Sequence, residues 1–332
     1  MPAFHASSAR TCLAVALAGI LAALPTIAAA QSKYPNRPIR FIVPYPPGGG
    51  TDFIAREIGQ RITEALGQSV VIDNRPGAGA TLGHGVAAKS APDGYTILLA
   101  TTGGTVSGPA LGIKVNYDPA RDFAPVGFLV YVPYTLVTFG GLPPNSMREF
   151  IDFARASPGK LNFASPGTGT PNHLGGVMLM MFTKISMVHV PYKGGGPAMI
   201  DLLSGQMHCS FSSPPQALPY VSGKRLKMLG VGHPTRVKSL PDVPAINETV
   251  PGFINTGWWG VHAPAGTPKE IVQLLNKTIN NALTLPETEK KLYAHGVIAA
   301  PGTPEAFRDF IREDQQRWGK VIKDAKLTIE QL

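Results

Sequence analysis

The sequence predicts a two-lobed α/β protein with mainly parallel sheets flanked by helices. Three observations lead there. Strand-like and helix-like segments alternate in a βαβ rhythm, which favours parallel strands covered by helices. The scheme runs once in the first part of the chain and again in the middle. No low-complexity linker separates the two runs, so two lobes joined by crossing strands fit better than two beads on a tether.

The elements follow in order. Pro38-Ile39-Arg40-Phe41-Ile42-Val43-Pro44 reads as a strand, and Pro46-Pro47-Gly48-Gly49-Gly50 as a loop. Thr51 or Asp52 is then placed to cap a helix carrying Phe53, Ile54, Ile58, Ile62 and Leu66, which Gly67 stops. Val70-Val71-Ile72 and Tyr95 to Ala100 are further strands, with a Gly-rich loop and a short helix near Gly83 to Ala88 between them. In the middle, Ser146 and Glu149 form a capping box ahead of Phe150, Ile151 and Phe153. Leu161 to Ala164 is a strand, Ser165 to Thr170 a loop, and the following helix runs through Met181. Met187 to Pro191 is a strand, Lys193 to Gly196 a loop, Pro197 a good first helical residue, and Leu226 to Val231 a strand. Near the end, Thr267-Pro268-Lys269-Glu270 and Thr303-Pro304-Glu305 open helices expected to return over the first lobe. The expected division is residues 1–30 as a signal peptide, 31–132 with 251–332 as lobe 1, and 133–250 as lobe 2.

Arg10 gives a positive start, Cys12 to Leu24 an apolar run, and Ala28-Ala29-Ala30 a cleavage site, so the mature chain is expected to begin at Gln31. The apolar run is shorter than the ~20 residues that span a bilayer, which disfavours a retained anchor. The address is secretory, and the expected location is the periplasm.

The net charge of +9 falls to +8 when Arg10 leaves, and the Lys and Arg residues are scattered. That excludes a basic stripe for nucleic acid. Of the two cysteines, Cys12 belongs to the leader, so Cys209 has no disulfide partner and reads as a buried thiol. The histidines are dispersed, with no metal-ligand spacing, and no cofactor is expected. No Gly-Lys-Ser/Thr loop occurs, and Gly77-Ala78-Gly79-Ala80-Thr81-Leu82-Gly83 lacks the dinucleotide spacing. A hydrolase triad of Ser165, His173 and Asp201 is conceivable, but no Gly-x-Ser-x-Gly elbow supports it.

Two loop-to-helix junctions carry the chemistry. They are Pro44 to Asp52, which includes Tyr45, Pro47, Gly48, Gly49 and Asp52, and Ser165 to His173, which includes Thr168 and Thr170. The first turn of a helix has unpaired N–H groups and a positive dipole end, and glycine lets a ligand approach the backbone. One such junction per lobe could grip an anion, with Lys193 and Gly194 in a third junction as a further wall. His173 reads as a hydrogen-bond donor or brace.

Tyr45-Pro46-Pro47-Gly48-Gly49-Gly50-Thr51-Asp52, Asn74-Arg75-Pro76-Gly77-Ala78-Gly79, Pro92-Asp93-Gly94-Tyr95-Thr96, Val190-Pro191-Tyr192-Lys193-Gly194 and Leu240-Pro241-Asp242-Val243-Pro244 resemble, in order, the motif series of the Bug family. These are extracytoplasmic receptors of tripartite tricarboxylate transporters. The resemblance implies a Venus-flytrap fold of the periplasmic type II kind. It implies a non-enzymatic receptor, expected as a monomer, that captures a small di- or tricarboxylate or aromatic acid for the transporter's membrane subunits. It also implies that carboxylates meet main-chain amides and waters held by the first two loops, and so assigns Pro47, Gly48, Gly49 and Asp52 to one and Ser165, Thr168, Thr170 and His173 to the other. A sensory co-receptor presenting the same ligand to a membrane kinase would share this sequence pattern. Where the family usually has an acidic residue, this chain has His208 or Cys209, which puts an amino-acid ligand in doubt. Trp258 and Trp259 read as core, or alternatively as a stacking wall.

Overall fold

The computed structural model describes residues 34–324 and Leu327. The expected signal peptide lies outside the described residues. Arg37 onward is one compact unit built around two sheets.

The first sheet has the order β11-β4-β10-β3-β1-β2. Its strands are β1 (Ile39–Val43), β2 (Val70–Asn74), β3 (Thr96–Thr101), β4 (Phe123–Pro133), β10 (Thr256–Pro264) and β11 (Ile298–Ala299). The second has the order β7-β6-β8-β5-β9, from β5 (Thr135–Phe139), β6 (Leu161–Ser165), β7 (Met187–Pro191), β8 (Cys209–Ser212) and β9 (Leu226–Val231). Both sheets are mixed rather than mainly parallel. The β2-β1-β3 and β7-β6-β8 sets are parallel, as their helical crossovers require. However, β10 runs antiparallel to β3, β4 antiparallel to β10, and β5 antiparallel to both its neighbours. The sequence reading did not locate the long strands β4 and β10, nor β5 and β11.

Among the described residues ten α-helices accompany them: α1 (Gly50–Leu66), α2 (Thr81–Ala88), α3 (Gly108–Ala110), α4 (Met147–Ala156), α5 (Pro171–Thr183), α6 (Gly195–Leu203), α7 (Pro214–Ser222), α8 (Lys269–Leu283), α9 (Pro286–Ala294) and α10 (Pro304–Asp324). Helix α1 buries Ile54, Ile58 and Ile62, spaced four apart on one face. Gly67 ends it at φ +69, and its N–H donates to Thr63 O (2.9 Å). Its N-cap is Gly49, not Thr51 or Asp52. Ser146 Oγ accepts from Glu149 N–H as expected, but the Glu149 carboxylate takes Asn145 N–H. Thr267 does not cap α8, because its hydroxyl donates to Pro264 O instead. Helix α6 begins at Gly195, two residues before Pro197.

The fully buried Trp258, Phe307 and Trp318 hold α10 to the first sheet, and Trp258 Nε1 donates to the buried Asp314 (2.8 Å). The ring of Phe128 meets Trp258, Phe307 and Phe310 within 6.2 Å.

The chain passes between the sheets at Tyr134, which separates β4 from β5, and again between β9 and β10. A ring of backbone bonds ties these passages together. Tyr134 N–H donates to Asn255 O (3.2 Å), Asn255 N–H to Gly232 O (2.7 Å), and Gly232 N–H to Tyr134 O (2.8 Å).

Candidate functional site

Four helices start where parallel strands end. Helix α1 follows β1, α5 follows β6, α6 follows β7 and α7 follows β8. Open α/β sheets bind ligands at the carboxyl ends of their strands, and here the ends of the two sheets face one another. Gly50 and Thr51 of α1, Asn172 of α5, Gly195 of α6, and Ser213, the N-cap of α7, all line one cavity of about 30 Å³. That is room for about two waters. Tyr45, Pro46, Gly49, Tyr134, Pro166, Gln216 and Trp259 complete the wall, and no lining side chain carries a charge.

The lobes are in contact across this cavity. Ser107 Oγ donates to Gly169 O (2.6 Å). A Cβ on Gly50 would lie 2.5 Å from Ser213 Oγ and 2.7 Å from Trp259, and one on Gly194 would lie 2.2 Å from Pro46. The arrangement is closed, and only glycine fits at these two meeting points.

The first loop is held from behind by a carboxylate. Asp52 is buried, and its Oδ2 accepts from Gly48 N–H (3.1 Å) and Arg56 Nε (2.9 Å). Asn74 Nδ2 donates to Asp52 Oδ1 (3.1 Å) and to Tyr45 O (2.9 Å). Burial would raise the Asp52 pKa, but the hydrogen bonds from Arg56, Gly48 and Asn74 outweigh it and hold the carboxyl below its ordinary value. Burial also raises the Tyr45 hydroxyl, against a hydrogen bond to Thr101.

The second loop is held by neutral groups. Thr170 Oγ1 donates to Gly167 O (2.7 Å) and accepts from His173 N–H (3.4 Å). Ser165 Oγ accepts from Gly167 N–H (3.2 Å) and lies 2.7 Å from His189 Nε2. Gly169 N–H donates to His173 Nδ1 (3.2 Å). Of the two roles expected, donor or brace, His173 is a brace that accepts at Nδ1, and its neutral tautomer carries the proton on Nε2. Burial, then the neighbouring His189, pushes the His173 pKa down to about 3.

These contacts sort the expected residues. Tyr45 and Gly49 line the cavity. Pro47 and Gly48 lie on an adjoining groove. Asp52, Ser165, Thr170 and His173 stand behind the loops as braces, and Thr168 puts its carbonyl against Gly79. Gly194 packs on Pro46, whereas the Lys193 side chain is on an exposed residue. The conceivable triad is not assembled: Ser165 meets His189, and Asp201 accepts from the Tyr192 hydroxyl (2.6 Å). His208 Nδ1 accepts from Asn162 N–H (3.0 Å), and burial raises the Cys209 thiol to about 12. Both are structural. Among the described residues no group of three His, Cys, Asp or Glu could hold a metal ion.

Sequence reading missed Tyr134, Asn172, Ser213 and Gln216. Asn172, Ser213 and Gln216 sit in the first turns of helices with Pro at their start, a signal present in the sequence. Tyr134 had no such signal. The tryptophan pair divides, since adjacent strand residues face opposite ways. Trp258 enters the core, and Trp259 lines the cavity.

The family model of the tripartite tricarboxylate transporter receptors, TctC, matches residues 54–327. The chain belongs to this family. BugT of Bordetella pertussis is 37% identical over 314 residues, covering 93% of this chain and 96% of BugT. The structure of Rpa4515 from R. palustris with adipate superposes with a TM-score of 0.87 at 34% identity, over 89% of this chain and 99% of that one. MatC from Rhodopseudomonas palustris with bound malate gives 0.83 at 31% identity, over 87% and 100%. TctC-family receptors are binding proteins, and the two-lobed fold is the one they share.

Proposed function

We propose that this receptor captures a small carboxylate between its lobes, in the periplasm, and presents its closed form to the membrane subunits of a tripartite tricarboxylate transporter. The observation that carries this reading is the convergence of four helix N-termini on one uncharged cavity. Each terminus is equivalent to roughly half a positive charge, so the four sum to on the order of two before screening. Gly49, Gly194 and Ser213 give their helices no side-chain cap, which leaves first-turn N–H groups for a ligand. A carboxylate supplies the acceptors those amides need, and no covalent chemistry is involved. The residues proposed to meet the ligand are the cavity walls, with Asp52, Ser165, Thr170 and His173 positioning the loops. The division proposed is residues 31–132 with 251–332 as one lobe and 133–250 as the other. The adipate and malate bound by two structural relatives support the ligand class.

Titration calorimetry of the purified protein with malate, adipate, citrate, phthalate and an amino acid tests this reading. Binding of at least one carboxylate is expected, with Gly50→Ala weaker. Its Cβ would overfill the closed cleft, which costs about 1–3 kcal/mol, or roughly 5- to 150-fold in affinity. A folded protein that binds none of these acids would overturn the proposal.

A further inference from the structure

Gln216 walls a second space as well as the cavity. On its other side a groove of about 320 Å³ is lined by Pro47, Gly48, Gly196, Met199, Ile200, Leu203 and Tyr220, among others, and Gln216 belongs to both walls. The walls are also continuous along the chain. Gly49 and Gly195 face the cavity where their neighbours Gly48 and Gly196 face the groove. Between the two spaces stand the Gln216 side chain, 2.7 Å from a Cβ on Gly195, and the contact of Pro46 with Gly194. The Gln216 amide packs flat against Gly195, where only glycine leaves it room.

The two spaces differ in size and chemistry. The cavity, at about 30 Å³, suits a carboxylate head and little more. The groove is ten times larger, and none of its side chains is charged. Ile200 is 67% exposed there. Both lobes contribute, Pro47 and Gly48 from the loop ahead of α1 and the rest from α6 and α7, so the groove is complete only when the lobes are together.

We infer that the groove is a second subsite of the cleft, which takes the uncharged apolar tail of a carboxylate whose head occupies the cavity, with Gln216 turning aside between them. This rests on the carboxylate reading above and deepens it. The ligand class is then an elongated monocarboxylate, a fatty or aryl-alkanoic acid, in preference to a compact di- or tricarboxylate. A second carboxylate in the groove would meet no cation among its lining residues.

The experiment is calorimetry on the full chain with two series, malate and succinate as compact acids, and butanoate, hexanoate, octanoate and phenylbutanoate as elongated ones. Three proteins are compared: the unaltered chain, Ile200→Asp and Gln216→Trp. Ile200→Asp changes an exposed side chain and leaves the cavity walls intact. Affinity is expected to rise along the elongated series by two- to about fourfold per methylene, the value for burying a CH₂. Ile200→Asp and Gln216→Trp should flatten that rise, with Ile200→Asp leaving malate and succinate within twofold. If compact acids bind but elongated ones gain nothing with length, or if Ile200→Asp weakens both series alike, the groove assignment is overturned and the carboxylate reading stands. If neither series binds to the folded protein, both are overturned.

Discussion

The two loops that face each other across the cleft have the same local plan, strand, glycine-rich turn and helix, yet they are anchored by opposite chemistry. Tyr45 to Asp52 hangs on an ionised carboxylate, which collects Gly48 N–H, Arg56 and Asn74. Ser165 to His173 hangs on two hydroxyls and two imidazoles packed at a tilt, with His173 and His189 centroids 4.1 Å apart. The first anchor reaches solvent through Arg56, which is 57% exposed, so the carboxylate can stay charged. In the second, Ser165, Thr170 and His173 are fully buried, where an uncompensated charge would be costly and neutral groups are favoured. In both cases the charge or polarity sits behind the loop, and only main-chain and neutral groups reach the cavity.

The largest expected effect breaks the first anchor. Asp52→Ala leaves Gly48 N–H without its acceptor and takes from Asn74 Nδ2 one of its two, at a cost of about 2–3 kcal/mol, measured by urea unfolding. Asp52→Asn keeps an acceptor and should cost less. Little or no loss in either variant would show that the carboxylate is not what holds this loop.

Acid separates the anchors next. His173, His84 and His262 are buried and neutral, with pKa values pushed down to about 3, about 4 and about 3 by burial. The unfolded chain takes up protons near pH 6.5 while the folded chain does not. Stability from these groups is therefore full above pH 6.5 and falls as the pH drops toward 3–4, with a limiting slope of about 1.4 kcal/mol per pH unit for each histidine. Protonation would also set an Nδ1 proton of His173 against Gly169 N–H. His173→Gln is expected to remove one proton's share of the slope in unfolding measured between pH 7 and 4. An unchanged slope would mean that His173 does not stay neutral in the fold.

The smallest effect sharpens the comparison. Thr170→Val removes the cap of α5 and the bond to Gly167 O, a loss of about 1 kcal/mol. Carboxylate affinity should fall more than this small loss of stability suggests, because the loop relaxes away from the cleft. Loss of stability with unchanged affinity would make Thr170 a helix cap only.

Much of this could be read from sequence because it is local. The strands β1, β6, β7 and β9 follow apolar runs, and α1 follows Ile54, Ile58 and Ile62 at helical spacing. The glycine-rich turns mark where helices begin. What escaped was non-local. Strand β4 ends at Pro133 and β5 begins at Thr135, so Tyr134 lies at the passage between sheets, and its partners Gly232 and Asn255 are far along the chain. Ser213 comes within reach of Gly50 through packing of α1 against α7, and Gln216 within reach of Gly195 through the approach of α7 to α6.

By itself the sequence determined the α/β class, the glycine-rich turns at the strand ends, and a motif series that points to the receptor family. Propensity, capping and turn chemistry act over a few residues and are written in order along the chain. The tertiary structure decided which side chains face the ligand. It turned Asp52 and His173 away as braces, parted Trp259 from Trp258, and brought four helix starts to one cavity. Those outcomes depend on the pairing of distant strands and on the closure of two lobes, where each group's role is set by the neighbours it meets in space.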